Sequence, residues 1–113
     1  MSMIGDSYRI MEGNGDVYSP HTPAKTDEEF NHRWNILKDE YQVVFKKYNS
    51  LRTNTVIESL LKQPCQIKWG RHLMIKVGGY KIETSPIMSI KNTGTGFIFE
   101  TEDGKSYSFE RMV

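Results

Sequence analysis

The clearest structural signal in the chain lies in residues 72–82, HLMIKVGGYKI. Apolar and polar side chains alternate on both sides of a Gly-Gly pair, a pattern typical of two β-strands joined by a two-residue turn. This register places Ile75 opposite Ile82 on one apolar face. It also places Lys76 directly opposite Lys81 on the other face. The segment therefore predicts an antiparallel hairpin with one side directed at a core.

A second hairpin is predicted near the C-terminus. A two-residue loop at Asp103-Gly104 would split the neighbouring aromatic residues between the two faces of the sheet. A three-residue loop, 102–104, with Gly104 at the left-handed bulge position, keeps them on one face. The second register is preferred because it buries four aromatic side chains together: Phe97, Phe99, Tyr107 and Phe109.

Short strands of this kind fill the chain after Pro64, which ends the preceding helical pattern. The predicted strands are 66–69, 72–77, 80–84, 87–91 and 97–101, with 105–111 as a sixth. Five or six short strands joined by tight turns favour a small SH3-like or OB-like barrel. The alternative is an open sheet with a helix laid across one face. Either arrangement is an α+β fold with its helices on the N-terminal side.

The segment before the strands carries a seven-residue hydrophobic repeat. It consists of Phe30, Trp34, Leu37, Tyr41, Val44, Tyr48 and Leu51. This spacing predicts one long amphipathic helix from the capping residue Thr26 to about Arg52. A second short helix is predicted over 56–62. The apolar seam of the long helix would be covered by the strands, by a second copy in a homodimer, or by a foreign protein.

The predicted organisation is an N-terminal flexible arm over 1–25, a helical segment over 26–63 and a β segment over 64–113. The last two segments form one domain. The chain has a net charge of +1 and one cysteine, Cys65, so an internal disulfide is excluded. The start MSMIGDSYRI lacks the basic and apolar regions of a secretory signal, and no stretch is apolar enough to span a membrane. We therefore expect a cytoplasmic protein.

Signatures of enzymes and cofactors are absent from the sequence. Gly94-Thr95-Gly96 has no Lys-Ser/Thr pair behind it, so it is not a phosphate-binding loop. Cys65 and the histidines stand at spacings unrelated to metal sites, and no orienting acid accompanies the Cys65–His72 pair. We therefore predict a protein that is not an enzyme and that holds neither metal nor cofactor.

Two sets of residues could form a binding surface. Tryptophan, tyrosine and arginine dominate protein interfaces, and the first set comprises Trp34, Tyr41, Tyr48, Trp69 and Arg71. Residues 64–91 carry five basic residues against one acidic residue. A nucleic-acid surface within this segment would comprise Lys68, Trp69, Arg71, Lys76, Tyr80 and Lys81.

The near-neutral charge of the whole chain favours a protein partner over nucleic acid. The order of a helix followed by barrel strands resembles SH3-like and Sm-like domains, although the Sm strand motifs are missing. In size, neutrality and lack of catalytic residues the chain is similar to small phage-encoded accessory and inhibitor proteins. The expected function is that of an inhibitor or adaptor that occupies a surface of another protein, with nucleic-acid binding as the alternative.

Overall fold

The structure is a computed structural model that describes residues 22–112. Two short helices and six strands make up this part of the chain. In chain order they are α1 (Asp27–Ile36), β1 (Tyr41–Asn49), α2 (Thr55–Ser59), β2 (Pro64–Trp69), β3 (His72–Val77), β4 (Tyr80–Asn92), β5 (Gly96–Thr101) and β6 (Ser106–Arg111). Most of the predicted N-terminal arm, 1–21, lies outside the described residues.

The six strands form a closed barrel. Each strand pairs antiparallel with the next strand in the chain, and β6 pairs with β1 to close the ring. The predicted antiparallel β fold is therefore confirmed, and the closed form replaces the open sheet. None of the helices within residues 22–112 is long and apolar enough to cross a membrane.

Both predicted hairpin registers are confirmed. Between β3 and β4, Ile75 lies opposite Ile82 and Lys76 lies opposite Lys81. Between β5 and β6 the two aromatic pairs face each other as expected. Gly104 has a φ of 85° in the three-residue loop, which is the left-handed conformation that this loop requires.

The predicted strands 80–84 and 87–91 are continuous as the single strand β4. Its first half pairs with β3 as far as Pro86, and its second half pairs with β5 from Ile87 onward. An extra residue between Ile87 and Ser89 forms a β-bulge against β5. β4 therefore changes its neighbours midway along its length.

The predicted long helix over 26–52 is wrong, and so is the helical segment 26–63. The helix ends at Ile36, because Leu37 already has an extended backbone with φ −85° and ψ 154°. After three further residues the chain enters strand β1. A homodimer through the predicted heptad helix therefore has no helix on which to form.

A β-bulge explains why strand β1 resembled a helix in sequence. Its inward-facing residues are Val43, Phe45 and Tyr48, and the register against β6 shifts between Phe45 and Lys47. The extra residue turns an alternation of two into a spacing of three between Phe45 and Tyr48. With this shift Tyr48 lies on the same inner side as Tyr41, which packs against the barrel core, and their separation of seven residues continued the repeat of α1 by coincidence. Val44, the seam residue between them, is not among the buried residues.

Two separate clusters of buried residues stabilise the structure. The larger cluster fills the barrel and also includes Ile57 and Leu60 from and just after α2. The smaller cluster joins Phe30 and Trp34 of α1 to Met74 on β3. Helix α1 therefore packs on the outside of the barrel and is distinct from its interior.

A buried ion pair fixes α1 to the barrel. The Arg33 guanidinium lies 3.0 Å from the Glu83 carboxylate on β4, and both side chains are almost fully buried. Arg33 also forms a 2.7 Å ion pair with Glu29, and Glu83 accepts a hydrogen bond from the Ala24 N–H. The Thr26 hydroxyl caps the helix by accepting from the Glu29 N–H, as predicted.

Helix α2 is one turn long and begins a residue earlier than predicted. Asn54 is its N-cap, and the Asn54 side chain accepts from the Ile57 N–H. The short helix covers one end of the barrel with Ile57.

Candidate functional site

Trp34, the first residue of the predicted partner-binding set, lies in the interior. Its side chain is 5% exposed and is covered by Phe30 and Met74. The Lys76 ammonium stands 4.3 Å from the centre of the indole ring, and the Lys68 ammonium stands 5.0 Å away. Trp34 therefore serves to dock α1 and is not displayed on the surface.

Lys68 caps the C-terminal end of α1. Its ammonium donates to the carbonyl oxygens of Trp34 and Leu37 at 3.1 and 3.2 Å. The Trp34 carbonyl also accepts from the Leu37 N–H, so Lys68 adds a second hydrogen bond there, and its charge opposes the negative end of the helix dipole. Two lysines of the predicted nucleic-acid set, Lys68 and Lys76, are thus engaged within the molecule.

Tyr48 lies inside the barrel and is also withdrawn from the surface. Its ring packs against Tyr107 with a centroid distance of 5.3 Å, and only 6% of the residue is exposed. Burial, together with the neighbouring Tyr48 and Asp103, raises the pKa of Tyr107. The Tyr48 hydroxyl is buried and has no hydrogen-bond partner among residues 22–112.

Tyr41 and Trp69 are brought together at one end of the barrel. Their rings stack with centroids 5.0 Å apart, and both residues are half-buried. Each ring also meets the buried Phe97 edge-on, at 5.0 Å from Tyr41 and 5.3 Å from Trp69. We call Tyr41, Trp69 and Phe97 the aromatic mouth. It is the place where the internal aromatic core of the barrel reaches the surface.

A cation lies against the aromatic mouth. The guanidinium carbon of Arg111, on β6, stands 4.7 Å from the centre of the Phe97 ring. Arginine favours such positions because its planar guanidinium stacks on aromatic faces. Sequence reasoning missed Arg111, since only the pairing of β6 with β5 and β1 places it beside Phe97.

Arg71 lies in the turn after β2, close to Trp69 in the chain. Its side chain is 40% exposed, and its guanidinium is 3.8 Å from the Glu102 carboxylate. Its backbone carbonyl accepts from the Ile87 N–H at 2.7 Å. Of the predicted partner-binding set, Tyr41, Trp69 and Arg71 therefore reach the surface, whereas Trp34 and Tyr48 do not.

The predicted nucleic-acid set is divided between two ends of the β2–β3–β4 sheet. Trp69 and Arg71 lie where β2 ends, at the start of β3. Tyr80 and Lys81 lie at the start of β4, opposite the last two residues of β3. A six-residue strand separates these positions by roughly 17 Å. Three members of the set remain together, because Lys76, Tyr80 and Lys81 line one open cleft of about 410 Å³.

The one cysteine is unsuited to nucleophilic chemistry. Cys65 is 5% exposed in the barrel interior, and burial raises the pKa of its thiol to about 12. A thiol of this pKa holds almost no thiolate at neutral pH. In the described part of the chain, no group of three or more His, Cys, Asp or Glu side chains could hold a metal ion.

Comparison with known proteins found no relative of this chain. No family model, no curated protein and no solved structure matches the chain.

Proposed function

We propose that this chain is a small non-enzymatic binding protein that acts by occupying a surface of another protein. The observation that carries the proposal is the aromatic mouth. There a stacked Tyr41–Trp69 pair stands half-exposed on a buried aromatic base, with Arg111 beside it.

The chemistry of the aromatic mouth suits a protein partner. Trp, Tyr and Arg contribute most of the binding energy at protein interfaces when they enter a partner's pocket. The rings of Tyr41 and Trp69 are already held by each other and by Phe97. Binding would therefore cost little side-chain entropy, which is the advantage of a preorganised surface.

The test is affinity capture of partners from a cell lysate, performed with and without nuclease. We expect the captured protein to survive nuclease treatment and to be lost when Tyr41→Ala is the bait. Tyr80→Ala is the matched control, because Tyr80 is a 50% exposed tyrosine at the other end of β3. Thermal melting of both variants verifies that they are folded. Capture that is unchanged by Tyr41→Ala, or that vanishes with nuclease, would contradict the proposal.

Nucleic-acid binding is the second candidate, and the cleft lined by Lys76, Tyr80 and Lys81 is the observation that favours it. Lys81 could contact a phosphate backbone and the exposed Tyr80 could stack on a base, while Lys76, whose ammonium stands 4.3 Å from the centre of the Trp34 ring, adds positive charge to the same cleft. Gln42 and Gln66 add hydrogen-bonding groups to the same cleft.

Oligonucleotide titration at several salt concentrations tests this second candidate. Each lysine that contacts a phosphate contributes about one unit to the slope of log affinity against log salt. Binding by the parent whose slope falls by about one to two units in the double variant Lys76→Ala, Lys81→Ala would establish the cleft as a nucleic-acid site. Absence of binding at physiological salt would remove this candidate and leave the protein-binding proposal standing.

A further inference from the structure

The second half of β4 has a free edge. Pairing with β3 ends at Pro86, and the Ile87 N–H then donates to the Arg71 carbonyl. Beyond that hydrogen bond, residues 88–92 pair with β5 and with no other strand in the part of the chain that the structure describes. One side of this half-strand therefore has no neighbouring strand among residues 22–112.

The direction of the backbone groups on that edge follows from two hydrogen bonds. At the turn into β5, the Thr93 N–H donates to the Gly96 carbonyl at 2.9 Å, so Thr93 points toward β5. Because successive residues of a strand point to opposite sides, the N–H and C=O of Asn92 and Ile90 point to the free edge. At the other end of this half-strand, the Ile87 N–H points toward β3. Alternation alone would make the backbone groups of Ser89 point the same way. The extra residue in the bulge between Ile87 and Ser89 reverses this, so that the backbone groups of Ser89 point toward β5.

Two large apolar side chains along the free edge are exposed. Met88 is 65% exposed and Ile90 is 43% exposed. Edge strands that stay unpaired are usually protected by charged side chains, by proline, by β-bulges or by a covering segment. In this strand the bulge lies before Ser89, at the start of the edge. Here Lys91 is the one charged residue in 88–92.

We propose that this edge pairs with the same edge of a second copy of the chain. The two β4 strands run antiparallel around a two-fold axis at Ile90, so that the sheets of both barrels continue into each other. Ile90 then lies opposite Ile90 of the second copy. The two residues exchange two backbone hydrogen bonds through the groups that point outward, and their side chains meet.

The charge of Lys91 favours this register over the register whose axis lies one residue further along the strand. An axis at Lys91 would set two lysines directly against each other, which is unfavourable. With the axis at Ile90, each Lys91 lies opposite Ser89 of the other copy. The Ser89 hydroxyl donates to the Glu100 carboxylate at 2.9 Å on the outer face of β5. Lys91 of one copy therefore approaches Glu100 of the other, and this occurs twice by symmetry.

The proposed pairing goes beyond the protein-binding function and does not depend on it. It concerns self-association of the purified chain, whereas the aromatic mouth is tested by capture of a foreign protein. Self-association and capture of a foreign protein can therefore each be disproved independently of the other.

Sedimentation equilibrium of the purified full chain over a wide concentration range provides the first test. We expect a monomer–dimer equilibrium in the parent. Ile90→Lys should weaken dimerisation at least about tenfold, because it sets two charges face to face at the axis. Val56→Lys is the matched control, since Val56 is a 49% exposed apolar residue on α2, and this variant should dimerise like the parent. A parent that remains monomeric, or a dimer that Ile90→Lys leaves intact, would overturn the proposal.

Disulfide trapping provides a second test, which also fixes the register. Facing Cα atoms in an antiparallel pair are about 5.5 Å apart where the residues exchange hydrogen bonds and about 4.5 Å apart where they do not, and a disulfide can span both. Ile90→Cys should therefore cross-link to itself under mild oxidation. Ser89→Cys and Lys91→Cys should cross-link when the two variants are mixed and not when either is alone. Efficient self-cross-linking of Lys91→Cys, or none by Ile90→Cys, would show that the register is wrong. The native Cys65 is buried and does not compete.

Discussion

Two glycines show how single residues set the geometry of the barrel, each for a different reason. Gly104 has a φ of 85°, and a Cβ added there would meet no atom within 4 Å. Its requirement is therefore conformational. A Cβ added to Gly96 would stand 1.9 Å from the Phe109 carbonyl oxygen, so the requirement there is for space. The first requirement is readable from the loop length in the sequence, whereas the second appears only when β5 and β6 are paired.

Gly104→Val should lower the free energy of unfolding by about 1 kcal/mol or more, because a β-branched residue resists positive φ. Gly104→Asn is the control, because asparagine tolerates the left-handed region, and it should cost less. Urea denaturation of the three proteins measures both differences. Equal stability of the valine variant and the parent would contradict the left-handed conformation of this loop.

The facing pair Lys76–Lys81 should respond unequally to truncation. Lys76→Ala removes the ammonium that stands 4.3 Å from the centre of the Trp34 ring and should destabilise by about 0.5–1 kcal/mol. Lys81→Ala removes only a like charge opposite Lys76 and should be neutral or slightly stabilising. Chemical denaturation of both single variants tests this order. A larger loss for Lys81→Ala than for Lys76→Ala would refute it.

At the scale of whole elements, sequence predicted the strands of the C-terminal half well and the N-terminal half poorly. After Pro64, alternation, Gly-Gly and Asp-Gly turn signals all agree, so registers such as Phe99 opposite Tyr107 could be derived. Before Pro64, the break after Leu37 and the bulge in β1 together imitate a helical repeat. Val43 and Phe45 on either side of Val44 carried the contrary signal of a strand.

Helix α1 is an element that should detach without unfolding the barrel, because its cluster with Met74 is separate from the barrel interior. Trp34→Ala should remove most of its docking energy, a loss of about 3 kcal/mol by analogy with large buried truncations. We expect faster amide hydrogen exchange in α1, with exchange in β5 and β6 unchanged. Asn35→Ala, on the exposed side of the helix, is the control. Uniformly faster exchange throughout the barrel would show that α1 and the barrel are one cooperative unit.

At the scale of the whole molecule, residue type alone identified Tyr41 and Trp69 as interface residues, but their proximity depends on how the barrel closes. β1 begins and β2 ends at the same end of the barrel, which stacks the two rings. The same closure buries Tyr48, and the docking of α1 buries Trp34. Whether an aromatic side chain is exposed depends on the assembled fold. Its residue type in the sequence therefore does not show whether it belongs to the core or to a binding surface.

Closure of the barrel also predicts how stability depends on pH. Burial raises the pKa of the Cys65 thiol to about 12, and burial raises the pKa of Tyr107 as well. Both groups are therefore held in their neutral, protonated forms in the folded state. A group whose folded pKa is raised contributes stability below its unfolded pKa and loses that contribution as pH rises toward the folded value. The free energy of unfolding should fall above about pH 9, the ordinary pKa of the Cys65 thiol.

Comparison of the parent with Cys65→Ala isolates the contribution of the thiol. The alanine variant is less stable because it leaves a small cavity, and this difference should stay constant below about pH 9. Above that pH the parent should lose stability faster than the variant, so the difference should narrow, while Tyr107 makes both proteins decline at still higher pH. Urea denaturation at a series of alkaline pH values measures the difference. A difference that stays constant throughout the alkaline range would mean that Cys65 ionises as readily in the folded barrel as in the unfolded chain.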